Sequence, residues 1–149
     1  MKQKLKPLEY AFYLLELRDR SIGEMEEKLR RKEFSDEEIS NILEFLISKE
    51  FLNDQRFAEN FVRFKKSVKP VGRYYLQQKL MAKKISKEII EKTLAENIDE
   101  TSEIVELVER WLAKNKEISK EKLYEKLTRH LLSRGFEWEK VREVIAEKL

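Results

Sequence analysis

Between residues 21 and 47 the chain reads SIGEMEEKLRRKEFSDEEISNILEFLI, two short amphipathic segments, each opened by a serine with a glutamate three positions on. Ser21 with Glu24 and Ser35 with Glu38 are capping-box pairs. The hydroxyl accepts from a first-turn N–H while the carboxylate reaches back to the serine N–H, so a helix starts at each serine. Behind them Met25 and Leu29, then Ile39, Leu43 and Ile47, recur at the spacing that places apolar side chains on one helical face.

Displaced by 51 residues the pattern returns, and it returns again after a further 51. Met25, Leu76 and Leu127 coincide, as do Leu29, Leu80 and Leu131; Phe34, Ile85 and Phe136; Ile39, Ile90 and Val141; Leu43, Leu94 and Ile145; and Ile47, Ile98 and Leu149. Polar positions follow as well, Ser35 with Ser86 and Lys32 with Lys83 and Arg134. A further helix precedes each pair, with Tyr10, Ala11 and Leu14 best matching Phe57, Ala58 and Phe61 at an offset of 47. The chain is therefore read as three copies of a three-helix unit: residues 1–51, 52–98 and 99–149. The fold class expected is all-α, an elongated array of three tandem three-helix repeats, because units this small need surface lent by their neighbours.

The helix starts predicted outside the opening stretch are Pro7, Asn53, the segment after Pro70, Ser86, Thr101, Ser119 and the segment after Gly135. Pro70 suits a first turn, where its missing N–H would be unpaired anyway. Leu52 is expected to staple onto Phe57. Gly135 falls where Glu33 and Lys84 stand in the earlier copies, at the end of a second helix. A left-handed residue is expected there, at a cost of about 1 kcal/mol wherever it is not glycine, so Lys84→Gly is expected to stabilise the chain.

Composition excludes other classes. The 149 residues hold 3 Gly, 2 Pro and no Cys, against about ten glycines and seven prolines in an average chain of this length. Glycine-dependent turns and phosphate-cradling loops are disfavoured, and disulfides, thiolate metal sites and thiol nucleophiles are ruled out. The longest apolar run, Tyr10 to Leu15, is too short to span a bilayer. A cytoplasmic protein without a membrane partner is expected, and the wealth of Lys and Glu beside few Asn, Gln and Met resembles thermophile composition.

The 32 basic and 29 acidic residues nearly cancel to +3, but their distribution is uneven. Residues 1–62 carry a net −3, residues 63–84 a net +8 with no acid at all, and residues 85–149 a net −2. The block consists of Arg63, Lys65, Lys66, Lys69, Arg73, Lys79, Lys83 and Lys84, interleaved with Phe64, Tyr74 and Tyr75. Such a stretch points to a contact surface for phosphate backbone or an acidic protein face, weak and salt-sensitive. If about half the block touched duplex phosphates, the log-log salt slope would be near −3 to −4.

Catalytic chemistry is thinly represented. His130, the only histidine, matches Lys28 and Lys79 in the repeat and is read as solvent-facing. The acidic runs Glu24–Glu27 and Asp36–Glu38 belong to helix starts, where the dipole favours them. Neither an enzyme nor a bound metal or cofactor is expected, and Asp54 and Arg56 are assigned to the fourth helix's start and to bonding between helices.

Residues 51–63, FLNDQRFAENFVR, resemble the signature of the RecX regulatory proteins, in which Leu, an acidic or amide residue, Asp, Arg-Phe-Ala and an aromatic-Val-Arg recur. Ala11–Leu29 and Gly72–Ile85 resemble the family's flanking patterns; the likeness is weakest after about Asn97. The family usually has Gly where Glu33 and Lys84 stand. The resemblance implies a modulator of the RecA recombinase, involved in recombination and DNA repair, that lies in the groove of the filament on DNA and inhibits it. By that reading the partners are a RecA-type filament and, weakly, nucleic acid, the chain acts as a monomer, and the basic block supplies the contact. The alternative is a stand-alone helical DNA-binding protein.

Overall fold

The structure, a computed structural model, describes residues 5–97 and 99–149. Among them are nine α-helices and no strand: α1 (Pro7–Leu17), α2 (Ile22–Arg31), α3 (Asp36–Ser48), α4 (Asp54–Val68), α5 (Arg73–Ala82), α6 (Lys87–Asn97), α7 (Glu100–Lys114), α8 (Lys120–Ser133) and α9 (Trp138–Lys148). Helices pack closely within three groups, α1–α3, α4–α6 and α7–α9, and each group has its own apolar cluster. The fold is an all-α array of three three-helix units.

The serines act as their spacing requires. Ser21 and Ser35 each accept from the N–H three residues on, and Glu24 and Glu38 accept from the serine N–H groups in return. Asn53, Asp99 and Ser119 cap α4, α7 and α8, so α7 opens just before Thr101.

The 51-residue register is a register of burial. Met25, Leu76 and Leu127 are fully buried, and so are Leu29, Leu80 and Leu131. Each second helix also ends in the same way. Glu33, Lys84 and Gly135 take left-handed backbone at φ 63°, 65° and 84°. The following N–H of Phe34, Ile85 or Phe136 bonds back to the carbonyl of Leu29, Leu80 or Leu131. That is the Schellman geometry, in which the residue after the left-handed turn packs on the residue five before it. Two of the six repeated triplets are therefore the two halves of one helix-ending motif.

Three expectations are corrected. Ile47 is 41% exposed, because it falls one residue beyond the stripe Ile39, Leu43, Leu46 and so lies about 100° round the helix; Leu46 is buried in its place. Its counterpart Leu149 is half-buried, and Ile98 lies outside the described residues. Leu52 joins the first unit's cluster with Met25 and Leu46, while Phe57 belongs to the second, so no staple forms between them. Pro70 lies in the link between α4 and α5, and α5 starts only after Gly72.

α8 differs from α2 and α5 by one additional turn at its start. The 51-residue register places Leu123 where Ser21 and Gly72 begin the shorter helices, and Leu123 is already inside α8, its N–H bonded to the carbonyl of Ser119.

Candidate functional site

The N–H groups in the first turn of any helix have no partner within that helix. In α5 the N-cap is Gly72, which has no side chain to supply one. The third unit supplies them: Gly72 donates to the Arg134 carbonyl at 2.7 Å, Tyr74 to the Gly135 carbonyl at 3.0 Å, and Arg73 to Glu100 Oε1 at 2.6 Å. Glu100 is almost fully buried, with Lys140 Nζ 3.8 Å from its second oxygen. The approach is as close as backbones allow, since a Cβ on Gly72 would stand 2.4 Å from the Gly135 backbone.

One register earlier the same joint is built from different side chains. The Ser21 hydroxyl donates to the Lys83 carbonyl at 2.5 Å, and Ile22 donates its N–H to Asp54 Oδ1 at 2.8 Å. In each joint the next unit brings the turn after its second helix and a carboxylate from the start of its first helix. Burial pushes the Asp54 carboxyl above its ordinary value, and the Ile22 N–H only partly offsets this. Asp54 thus serves bonding between helices, as expected, while Arg56 bonds the Glu50 carbonyl at 2.7 Å and secures the α3–α4 link.

The basic block runs through both joints. Lys66, on α4, pairs across the second joint with Glu103 of α7. Lys83 and Lys84, after α5, pair across the first with Glu24 and Glu27 of α2, at 3.5 and 3.3 Å. Burial works to raise the Glu24 carboxyl, but its bonds from Arg18 and the Ser21 N–H, with Lys83 nearby, hold it below its ordinary value. Arg73 sits half-buried at the second joint.

Elsewhere the block faces outward. Arg63 is exposed and donates to Asn60 Oδ1 at 3.1 Å. Lys65 lies over the Phe61 ring at 5.4 Å and Lys79 over Tyr75 at 5.5 Å, placements that leave a cation at the surface. Lys69 is exposed in the link. Phe64 is 63% and Tyr74 51% exposed, outside the core, whereas Tyr75 is half-buried and packs against the second unit's apolar cluster. Lys66 and Lys69 also line a cleft of about 370 Å³ with Arg110, Glu103 and Glu106.

Sequence reasoning missed Arg110 and the acidic partners Glu24, Glu27, Glu100 and Glu103. The available signal was the repeat itself: Ser21 matching Gly72, and Lys83 and Lys84 matching Arg134 and Gly135, are the donor and acceptor sides of one recurring contact. His130 also departs from its solvent-facing expectation. It is half-buried against Trp111, ring centres 5.3 Å apart, and burial, aided by Arg134, lowers its pKa. Unlike Lys28 and Lys79, an imidazole has an apolar face that Trp111 can cover.

Among the described residues no helix is long and apolar enough to cross a membrane.

Three family descriptions match in tandem: "RecX, first three-helix domain" over residues 8–46, "RecX, second three-helix domain" over 53–94, and "RecX, third three-helix domain" over 99–145. A "Regulatory protein RecX" of Prosthecochloris aestuarii is 35% identical over 97% of this chain and 94% of its own length. One from Clostridium acetobutylicum is 30% identical over 83% of this chain, a match that spans 60% of that longer protein. The crystal structure of RecX from Lactobacillus salivarius superimposes with a TM-score of 0.86 at 27% identity, covering 95% of this chain and 94% of that one. With all three units matched in order and the fold shared end to end, the chain belongs to the RecX family of regulatory proteins.

Proposed function

We propose that the chain binds a RecA-type recombinase filament on DNA and holds down its ATPase and strand-exchange activities, acting by binding and not by catalysis. The observation that carries this reading is the unbroken tandem of three RecX units. The three units, residues 1–51, 52–98 and 99–149, lie along successive protomers of the filament, and the cationic block of the middle unit faces nucleic-acid phosphate. Arg63, Lys65, Lys69 and Lys79 are the direct contacts. Arg73, Lys66, Lys83 and Lys84 contribute charge from positions at the joints. A filament bound in this way is held in a conformation unable to grow or turn over, because a ligand shifts an equilibrium by its differential affinity for the two states.

The test is filament ATPase and strand exchange, with duplex binding measured alongside. Wild type is expected to inhibit, and the variant Arg63→Glu, Lys65→Glu, Lys69→Glu, Lys79→Glu to inhibit at least tenfold less well. Absence of inhibition by wild type at any stoichiometry refutes the regulator reading. Tight binding to bare duplex with no effect on filaments favours a stand-alone DNA-binding protein.

A further inference from the structure

Three cations of the basic block, Lys66, Lys83 and Lys84, are the ones that pair with acids of a neighbouring unit. These residues hold the array together and belong to the surface assigned above to phosphate. They cannot do both fully, since an ammonium that turns toward a phosphate leaves its carboxylate.

Two kinds of bond span each joint. The backbone-centred bonds, Ser21 to the Lys83 carbonyl and Gly72 to the Arg134 carbonyl, use groups that phosphate cannot displace. The ion pairs are unequally open to competition: the Lys84 and Glu27 side chains are 52% and 40% exposed, those of Lys83 and Glu24 34% and 14%, and those of Lys66 and Glu103 20% and 28%. An exposed pair such as Lys84–Glu27 is individually weak and screened by salt, so it is the first to be released. A polyanion gains counterion release with every cation it engages. One brace is also incompletely satisfied, for Glu103 Oε2 is buried without a hydrogen-bond partner. The three apolar clusters are separate.

We propose that Lys66, Lys83 and Lys84 are releasable braces: a polyanion bound on the basic block draws them from Glu103, Glu24 and Glu27, and the units then pivot about the backbone bonds that remain. The array is braced when unbound and jointed when bound, so it adapts to a helical track as it engages. This rests on the reading that the block meets phosphate.

The chain has no cysteine, so spin labels at Glu44→Cys on α3 and Glu125→Cys on α8, both exposed, report the distance between the outer units without background. The distance distribution is measured alone and with a 30-base-pair DNA duplex at low salt, with binding followed by anisotropy. Two of the three braces are also removed without touching a cation, by Glu27→Gln and Glu103→Gln; Glu24 is kept because it caps α2. Glu88→Gln and Glu147→Gln, at exposed positions, make a control of equal net charge.

Duplex is expected to broaden the wild-type distribution. The brace variant is expected to be broad without duplex and to bind it about threefold or more tightly than the control. An unbroadened brace variant overturns the proposal. Duplex binding that leaves the wild-type distribution unchanged overturns the coupling while sparing the phosphate-contact reading. No detectable duplex binding refutes that reading and the coupling with it.

Discussion

Ile22 gives its backbone N–H to the Asp54 carboxylate at 2.8 Å, so a helix of one unit is capped by a side chain of the next. Arg73 and Glu100 repeat the arrangement at the following joint, at 2.6 Å. The array is held by helix starts finding their missing acceptors in a neighbour.

Replacing Asp54 separates its hydrogen bond from its charge. Asp54→Ala leaves the Ile22 N–H without its acceptor and is expected to cost about 1–3 kcal/mol by urea denaturation. Asp54→Asn keeps an acceptor oxygen and is expected to be much milder at pH 7. Burial raises the native Asp54 pKa above its unfolded value of 3.8. The associated stability is therefore fully present below that value and lost as pH rises through the native pKa. The difference between wild type and Asp54→Asn should shift toward wild type as pH falls from 7 toward 4; a constant difference contradicts this account.

Gly72→Ala places a methyl group against the backbone of Gly135, which cannot swing aside. The expected cost is about 3 kcal/mol, and amide-exchange protection should fall at Gly72, Arg73 and Tyr74. Unchanged stability would mean that the joint is looser than its 2.7 Å bond indicates.

Glu33 occupies left-handed backbone at φ 63° with an exposed side chain. Glu33→Gly is expected to raise stability by about 1 kcal/mol, read as a higher melting temperature. Lys84→Gly relieves the same strain but also removes the Glu27 pair and the packing of Lys84 on Gly23. Its gain should be smaller or absent, which revises the stabilisation expected from sequence.

His130 supplies a pH dependence of opposite sign to that of Asp54. Its native pKa lies below the unfolded 6.5 because it is half-buried on Trp111. The unfolded state therefore takes up the proton first, and stability is lost as pH falls below about 6.5. His130→Phe keeps a ring against Trp111 and should flatten the melting temperature between pH 7 and 5. An unchanged slope assigns the dependence to other groups.

Much of the fold was legible because its determinants are local. Ser21 and Glu24 are three residues apart and cap one another, and Leu29 with Phe34 closes the helix they open. The joints were illegible for the opposite reason. Arg73 finds Glu100, Gly72 finds Arg134 and Lys66 finds Glu103 only after separate units have folded and stacked, and no spacing within one helix announces such a partner. Pro70 was misplaced on the same account: the start of α5 is set by acceptors in the third unit, and Pro70 is left in the link. The basic block stood out at once as a run of charge. Its division between outward-facing residues and residues engaged at the joints depends on acids up to 59 residues away in sequence.

The extra turn of α8 changes what that helix can offer a neighbour. An interface whose two sides differ can in principle be repeated indefinitely, each copy adding to the last. At the register where α2 and α5 offer unsatisfied N–H groups, α8 has already used its own, Leu123 bonding back to Ser119. The start of α8 therefore lacks the donor side that α2 and α5 present to the unit after them: its first-turn N–H groups lie a turn earlier, where Ser119 caps them itself.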